Sequence, residues 1–222
     1  MPEGVQPEGS LETGRENVHL VDEPLSRHKM AALRDERTGQ REFRQAMREM
    51  ALILVGEATR RMPTRTSRIN TPLTATEAQE ISGPVCLVPV LRAGLGMLDG
   101  ALALLPEATV GFVGLFRDEE TAQPVEYYVN LPSNLEDYFV VVLDPMLATG
   151  GSLSATLDKL KEHGAGWISC LHAVSAEPGV ARVTAEHPDV HFYTAALDPE
   201  LDERAFIVPG LGDAGDRLYG TL

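Results

Sequence analysis

The sequence predicts an α/β domain, a doubly wound and mostly parallel sheet flanked by helices. Two observations carry this. From residue 85 onwards, short apolar runs alternate with segments of helical periodicity, the pattern of repeated strand–helix–strand units. The runs are also apolar throughout, as in VCLVPVL at 85–91 and FVVVL at 139–143. A strand with no polar face is buried on both faces, as in a parallel sheet covered by helices.

The elements follow in chain order. Residues 1–22 carry Glu3, Glu8, Glu12, Glu16 and Asp22 against Arg15, with Pro and Gly scattered among them. That composition predicts a flexible acidic extension, with a single domain over 23–222. From 41 to 62, Phe43, Met47, Met50 and Leu54 recur at i, i+4, i+7 and i+11, one face of an amphipathic helix. A Thr-rich polar stretch at 63–80 ends it. Strands are expected at 85–91, 109–116, 139–143, 167–174 and 190–197, and helices at 95–105, 152–163 and 179–187. Residues 123–131 alternate enough to form one arm of a hairpin, interrupted by Pro124.

Composition narrows the function. The 222 residues are 43% hydrophobic and 23% charged, values of a globular domain able to bury its own core. A net charge of −14 is not the footprint of a nucleic-acid or anionic-membrane binder. A polyanionic small molecule would have to be held by local Arg residues, Mg²⁺ and backbone N–H groups. The longest run free of Asp, Glu, Lys and Arg, 163–176, is too short to cross a bilayer. The first twenty residues lack the apolar core of a secretory signal. Cys86 and Cys170 lie in apolar runs with no CxxC, as free core thiols of a cytoplasmic protein.

In such sheets ligands sit beyond the carboxyl ends of the strands, so the loops after 91, 116 and 143 are the places to look. The third is the most informative. Its strand ends in Asp144 and is followed by Thr149, Gly150, Gly151 and Ser152, where a helix is expected to begin. Glycines let a backbone approach a phosphate and turn several N–H groups towards it. A helix N-terminus adds a positive dipole end, and Thr149 and Ser152 add hydroxyl donors. Ser152 suits an N-cap. Asp144 is placed to hold a ribose hydroxyl or a metal. Neither GxxxxGK[ST] nor GxGxxG is present here, so this is neither a P-loop nor a dinucleotide fingerprint.

The run Asp144-Pro145-Met146-Leu147-Ala148-Thr149-Gly150-Gly151-Ser152 resembles the phosphoribosyl-diphosphate (PRPP) motif of type I phosphoribosyltransferases. The Pro145-Met146 variant is similar to that of uracil phosphoribosyltransferases, which lack the second acid most relatives carry at Pro145. Three further stretches fit. Arg92, in PVLRAGLGM at 89–97, and Arg117, in FRDEET at 116–121, correspond to two arginines that grip diphosphate oxygens. Asp118 stands where the family more often has Asn. The segment IVPGLGDAGDR at 207–217 resembles the uracil loop, with Ile207, Gly212, Asp213 and Ala214 matching the base through main-chain donors and acceptors. Asp213 would also approach PRPP. Glu23, Arg27 and Leu222 depart from the family's ends.

The resemblance implies the type I phosphoribosyltransferase fold, with a β-hairpin arm and a C-terminal base-binding hood. It implies the reaction uracil + PRPP → UMP + diphosphate, in pyrimidine salvage. Arg92, Arg117 and Mg²⁺, bound mainly through the diphosphate, would neutralise leaving-group charge. Asp213 is the one candidate general base. A homodimer or larger homo-oligomer is implied, the 117–131 arm is a candidate for reaching a neighbour, and GTP is a candidate activator. Two other readings stay open: a non-catalytic PRPP or nucleotide sensor on this fold, and a transferase for another base. None of the six histidines has metal-ligand spacing. His163 and His187 are expected near helix ends, and His172 and His191 as structural residues within strands.

Overall fold

A computed structural model describes residues 15–117 and 124–221; for 115–117 and 124–127 it describes the backbone alone. A six-stranded parallel sheet has the order β1-β12-β10-β8-β4-β5. Its strands are β1 (Val18–Leu20), β4 (Val85–Pro89), β5 (Thr109–Val110), β8 (Phe139–Leu143), β10 (Trp167–His172) and β12 (His191–Thr194). The helices are α1 (Pro24–Arg34), α2 (Gln40–Thr59), α3 (Leu95–Leu104), α4 (Gly151–Glu162), α5 (Glu177–Glu186) and α6 (Ala214–Tyr219).

The uninterrupted apolar runs are explained by the two cores. Leu87, Val141, Leu143, Leu171 and Tyr193 point to one face, against Phe43, Met47, Met50 and Leu54 of α2, with α1, α3 and α6 beside them. Cys86, Val88, Val140, Val142, Ile168, Cys170 and Phe192 point to the other, against Leu153, Leu157 and Leu160 of α4 and Val180 and Val183 of α5. Alternate residues thus bury on opposite sides, and both sides are mostly apolar, with Ser169, His172 and Thr194 as buried polar exceptions. Both cysteines are free and buried.

Several expectations are corrected. Val18–Leu20, assigned to the acidic extension, forms β1, parallel to β12 at the sheet edge. The strand expected at 109–116 breaks at Gly111. β5 stays in the sheet beside β4, and β6 (Phe112–Arg117) turns away to pair antiparallel with β7 (Pro124–Asn130). β7 falls on the hairpin arm read from 123–131, whose connection at 118–123 lies outside the described residues. The polar stretch at 63–80 is a second hairpin, β2 (Thr64–Asn70) with β3 (Ala75–Ile81). Its side chains are mostly exposed, so no apolar periodicity marked it. The run expected at 167–174 ends at His172, and β11 (Val174–Ala176) pairs instead with β9 (Met146–Leu147) and β13 (Leu197–Asp198). Near the C-terminus, β14 (Glu200–Leu201) and β15 (Ile207–Val208) form a short antiparallel pair, the hood. Among the described residues no helix is long and apolar enough to cross a membrane.

Candidate functional site

Three of the stretches singled out in the sequence meet at the carboxyl edge of the sheet. The first is the loop after β8. Asp144 closes the strand, its N–H donating to the Leu171 carbonyl (3.1 Å) and its carbonyl accepting from His172 Nδ1 (2.7 Å). Burial pushes the Asp144 carboxyl up to about 7, against a bond from the Met146 backbone that lowers it. Pro145 and Leu147 are buried, Met146 and Ala148 half-buried, and Thr149 and Ser152 face solvent. Gly150 takes φ = +79° and is itself the N-cap of α4, its carbonyl accepting from Ser154 N–H (2.8 Å). The cap expected at Ser152 therefore moves two residues back. Ser152 lies inside the first turn, where its N–H is one of the unpaired donors a helix start offers.

The second stretch follows β4. Val90 N–H donates to the Leu143 carbonyl (2.9 Å), and Gly94 N–H to the Val90 carbonyl (2.8 Å). A Cβ on Gly94 would run into the Leu143 carbonyl oxygen and the Val90 backbone, so only glycine lets these two loops approach so closely. Arg92 projects outwards, its side chain 60% exposed, with Nη2 3.3 Å from Asp216 Oδ1. The Leu91–Arg92 peptide is cis. Arg117 closes β6, and its side chain lies outside the described residues.

The third stretch is the hood and α6. Ile207 is buried in β15. Gly212 is exposed, Asp213 half-buried and Ala214 buried. Asp213 caps α6, Oδ1 accepting the Asp216 N–H (2.8 Å). Asp216, one turn on, meets Arg92 and accepts from Thr221 Oγ1 (2.5 Å). Tyr219 Oη donates to the Arg92 carbonyl (3.3 Å). The stretch read for diphosphate and the stretch read for base are thus joined through α6.

Sequence reading missed the groups that anchor this arrangement. Arg34 of α1 holds Asp198 with two bonds (2.6 and 2.8 Å) and also donates to the Gly210 carbonyl (2.8 Å), while Asp198 accepts the Gly210 N–H (2.8 Å). Arg217 reaches the carbonyls of Leu33, Leu211 and Asp35 and lies over the Phe43 ring, 4.2 Å from its centroid. Apart from Arg217 to Leu211 and Asp198 to Gly210, these contacts join residues far apart in the chain, and no local signal marks them. His187, expected near a helix end, is the C-cap of α5 and is buried, bonded to Ser154 Oγ (2.9 Å). Tyr193 lies beside His19, which meets His191 at 3.2 Å. A separate cleft of about 690 Å³, lined by Met30, Arg34, Ala195 and Leu197 among others, contains none of the residues read from the motifs.

A parallel sheet covered on both faces, with a strand–Asp–glycine loop–helix unit at its carboxyl edge and a C-terminal hood beyond it, defines a type I phosphoribosyltransferase fold. A purine phosphoribosyltransferase from Pyrococcus horikoshii, 15% identical, shares that fold with a TM-score of 0.50 over 70% of this chain and 85% of its own. The chain belongs to the uracil phosphoribosyltransferase family, whose sequence profile matches residues 20–221. A uracil phosphoribosyltransferase of Alkaliphilus metalliredigens is 49% identical over 205 residues, 92% of this chain and 98% of that one. Another, from Shouchella clausii, is 49% identical with the same coverage. The AQ2163 protein of Aquifex aeolicus, 35% identical, superposes with a TM-score of 0.86 over 92% of this chain and 98% of its own.

Proposed function

We infer that this chain is an enzyme, a pentosyltransferase that joins uracil to the ribosyl phosphate of PRPP, giving UMP and diphosphate in pyrimidine salvage. The observation that carries the reading is the convergence of the three loops, with Arg92 bonded to the helix that Asp213 caps. N1 of uracil attacks C1′ of the ribose as the C1′–O bond to diphosphate breaks, and positive charge develops on the sugar. Catalysis is then mainly positioning and neutralisation of the departing diphosphate.

In this reading the backbone N–H groups of 147–152 and the start of α4 hold the 5′-phosphate, and Asp144 holds ribose hydroxyls. Arg92 and Arg117 take the diphosphate. Ile207, Gly212, Asp213 and Ala214 read the edge of the base, and an amide-lined pocket leaves polar groups unpaired against cytosine. Asp213 Oδ1 is occupied by the α6 cap, so a base role falls to Oδ2. Asp213→Asn with turnover near wild type would remove that role. Among the described residues no group of three or more His, Cys, Asp or Glu is arranged to hold a metal. An Mg²⁺ held mainly by PRPP oxygens, with Asp144 beside it, would neutralise diphosphate charge.

A cytoplasmic homodimer or larger assembly is expected, with GTP as a candidate activator. The 117–131 arm, part of which lies outside the described residues, is the expected element for reaching a neighbour, and the β2–β3 hairpin, with Leu73 95% exposed at its tip, is a second. The test is UMP formation from uracil and PRPP with Mg²⁺, beside Arg92→Ala and with adenine and cytosine as controls. Uracil-dependent UMP that collapses in the variant is expected. PRPP binding without turnover would replace the enzyme by a sensor, and turnover with adenine would replace uracil by a purine.

A further inference from the structure

β8 and β10 pair regularly as far as Leu143↔Leu171, and the Asp144 N–H adds one more bond, to the Leu171 carbonyl. The pairing then slips. Val174 N–H donates to the Pro145 carbonyl (3.1 Å), one residue beyond Asp144. The Asp144 carbonyl is met by a side chain, His172 Nδ1 at 2.7 Å. The peptide it belongs to leads into Pro145, which has no N–H, so that peptide has no donor of its own to fix its plane.

His172 is fully buried on the α4–α5 side of the sheet, its ring nearly parallel to Phe192 at 17°. Burial holds its pKa down to about 4, so the ring is neutral. A carbonyl at Nδ1 requires the proton there, which leaves Nε2 a bare acceptor. That atom is buried and has no partner among the described residues. A buried acceptor without a donor is destabilising, and Leu or Phe would fill the space without it. Packing therefore does not explain the imidazole; its other nitrogen does.

We propose that His172 is a positioning residue for the PRPP loop, its Nδ1–H replacing the absent ladder donor and orienting the Asp144 peptide where strand becomes loop. The inference rests on the reading of 144–152 as the PRPP loop. His172 touches no substrate in this role; it acts through Asp144.

The experiment compares His172→Leu, His172→Gln and His172→Asn. The Asn amide nitrogen falls near the position of Nδ1, whereas the Gln amide falls near Nε2. Leu and Gln are expected to raise the KM for PRPP, and the Kd for PRPP measured calorimetrically without uracil, by about tenfold, the loss of one well-made buried hydrogen bond. The KM for uracil is expected to stay within about twofold and Asn to restore PRPP affinity to within about threefold of wild type. PRPP affinity at the wild-type level in folded His172→Gln would overturn the proposal, as would an equal rise in both KM values. Should the Leu variant not fold, the Gln–Asn pair alone decides. Wild-type protein that binds PRPP without making UMP would refute the enzyme and leave the calorimetric comparison intact.

Discussion

The loops that leave the neighbouring strands β8 and β4 are held in opposite ways. The loop after β8 is anchored from beneath: the Asp144 carbonyl by a buried imidazole, the Pro145 carbonyl by Val174 N–H, and Gly150 fixed as a left-handed cap. The loop after β4 is stitched to its neighbour through its backbone, but Arg92 at its tip is exposed and meets Asp216 at 3.3 Å. The chemistry of the proposed reaction asks for this difference. The 5′-phosphate and ribose stay in place from substrate to product, so a preorganised cradle suits them. Diphosphate must be gripped and then released, and an arginine held by one solvent-exposed ion pair exchanges partners at little cost.

The strongest way to break the comparison is Gly94→Ala, where the two loops touch. The new methyl overlaps the backbone oxygen of Leu143 and the backbone of Val90. Atoms of that kind do not move aside, so a loss of about 1–3 kcal/mol is expected in denaturant unfolding, together with weaker binding of PRPP. An unchanged unfolding midpoint would mean that the loops are not clamped. Gly150→Ala acts on the anchored loop alone. The left-handed φ of +79° costs an L-residue about 1–2 kcal/mol, and the methyl also meets Val183 Cγ1. Equilibrium unfolding and PRPP titration should both register it, with the KM for uracil nearly untouched.

The third prediction concerns pH. Asp144 lies at about 7 in the folded protein, above its ordinary 3.8. Between those values the folded state holds a proton that the unfolded chain has lost. The contribution of this group is therefore complete below the lower value and is lost as pH rises through the upper one. Ligand-free wild type should lose stability across that window, and Asp144→Asn should flatten this part of the curve. A wild-type curve that rises through the window, with the Asp144→Asn variant following it, would place the carboxyl at an ordinary value. The smallest effect is expected of Asp216→Asn, since Arg92 and Asp216 form an exposed pair: about 0.5 kcal/mol or less in stability. A tenfold change in the KM for PRPP would show instead that Asp216 anchors Arg92, erasing the contrast between the loops.

Several elements were legible in the chain because their chemistry is local. Phe43, Met47, Met50 and Leu54 mark α2 by spacing alone, and FVVVL marks β8 to the residue. The Asp144–Ser152 stretch reads as a candidate phosphate loop because strand, Asp, Thr-Gly-Gly-Ser and helix follow one another within a few residues. Other elements carried no such mark. The β2–β3 hairpin exposes both faces and therefore has no apolar period. β1 is three residues long and exists by pairing with β12, far along the chain. α6 is six residues long and contains a glycine; its cap on Asp213 and the Arg217 contacts to Leu33 and Asp35 hold it.

The chain by itself determined the α/β class and the family, and it pointed to one edge of the sheet as the place to look for a ligand, since each depends on residue types within a few positions of one another. Only the tertiary structure decided what holds those residues in place. Arg34 on Asp198, Asp216 on Arg92 and His172 on Asp144 are pairs 164, 124 and 28 residues apart. A hydrogen bond across such a distance depends on where the sheet and helices bring the two groups, and periodicity along the chain carries no record of it.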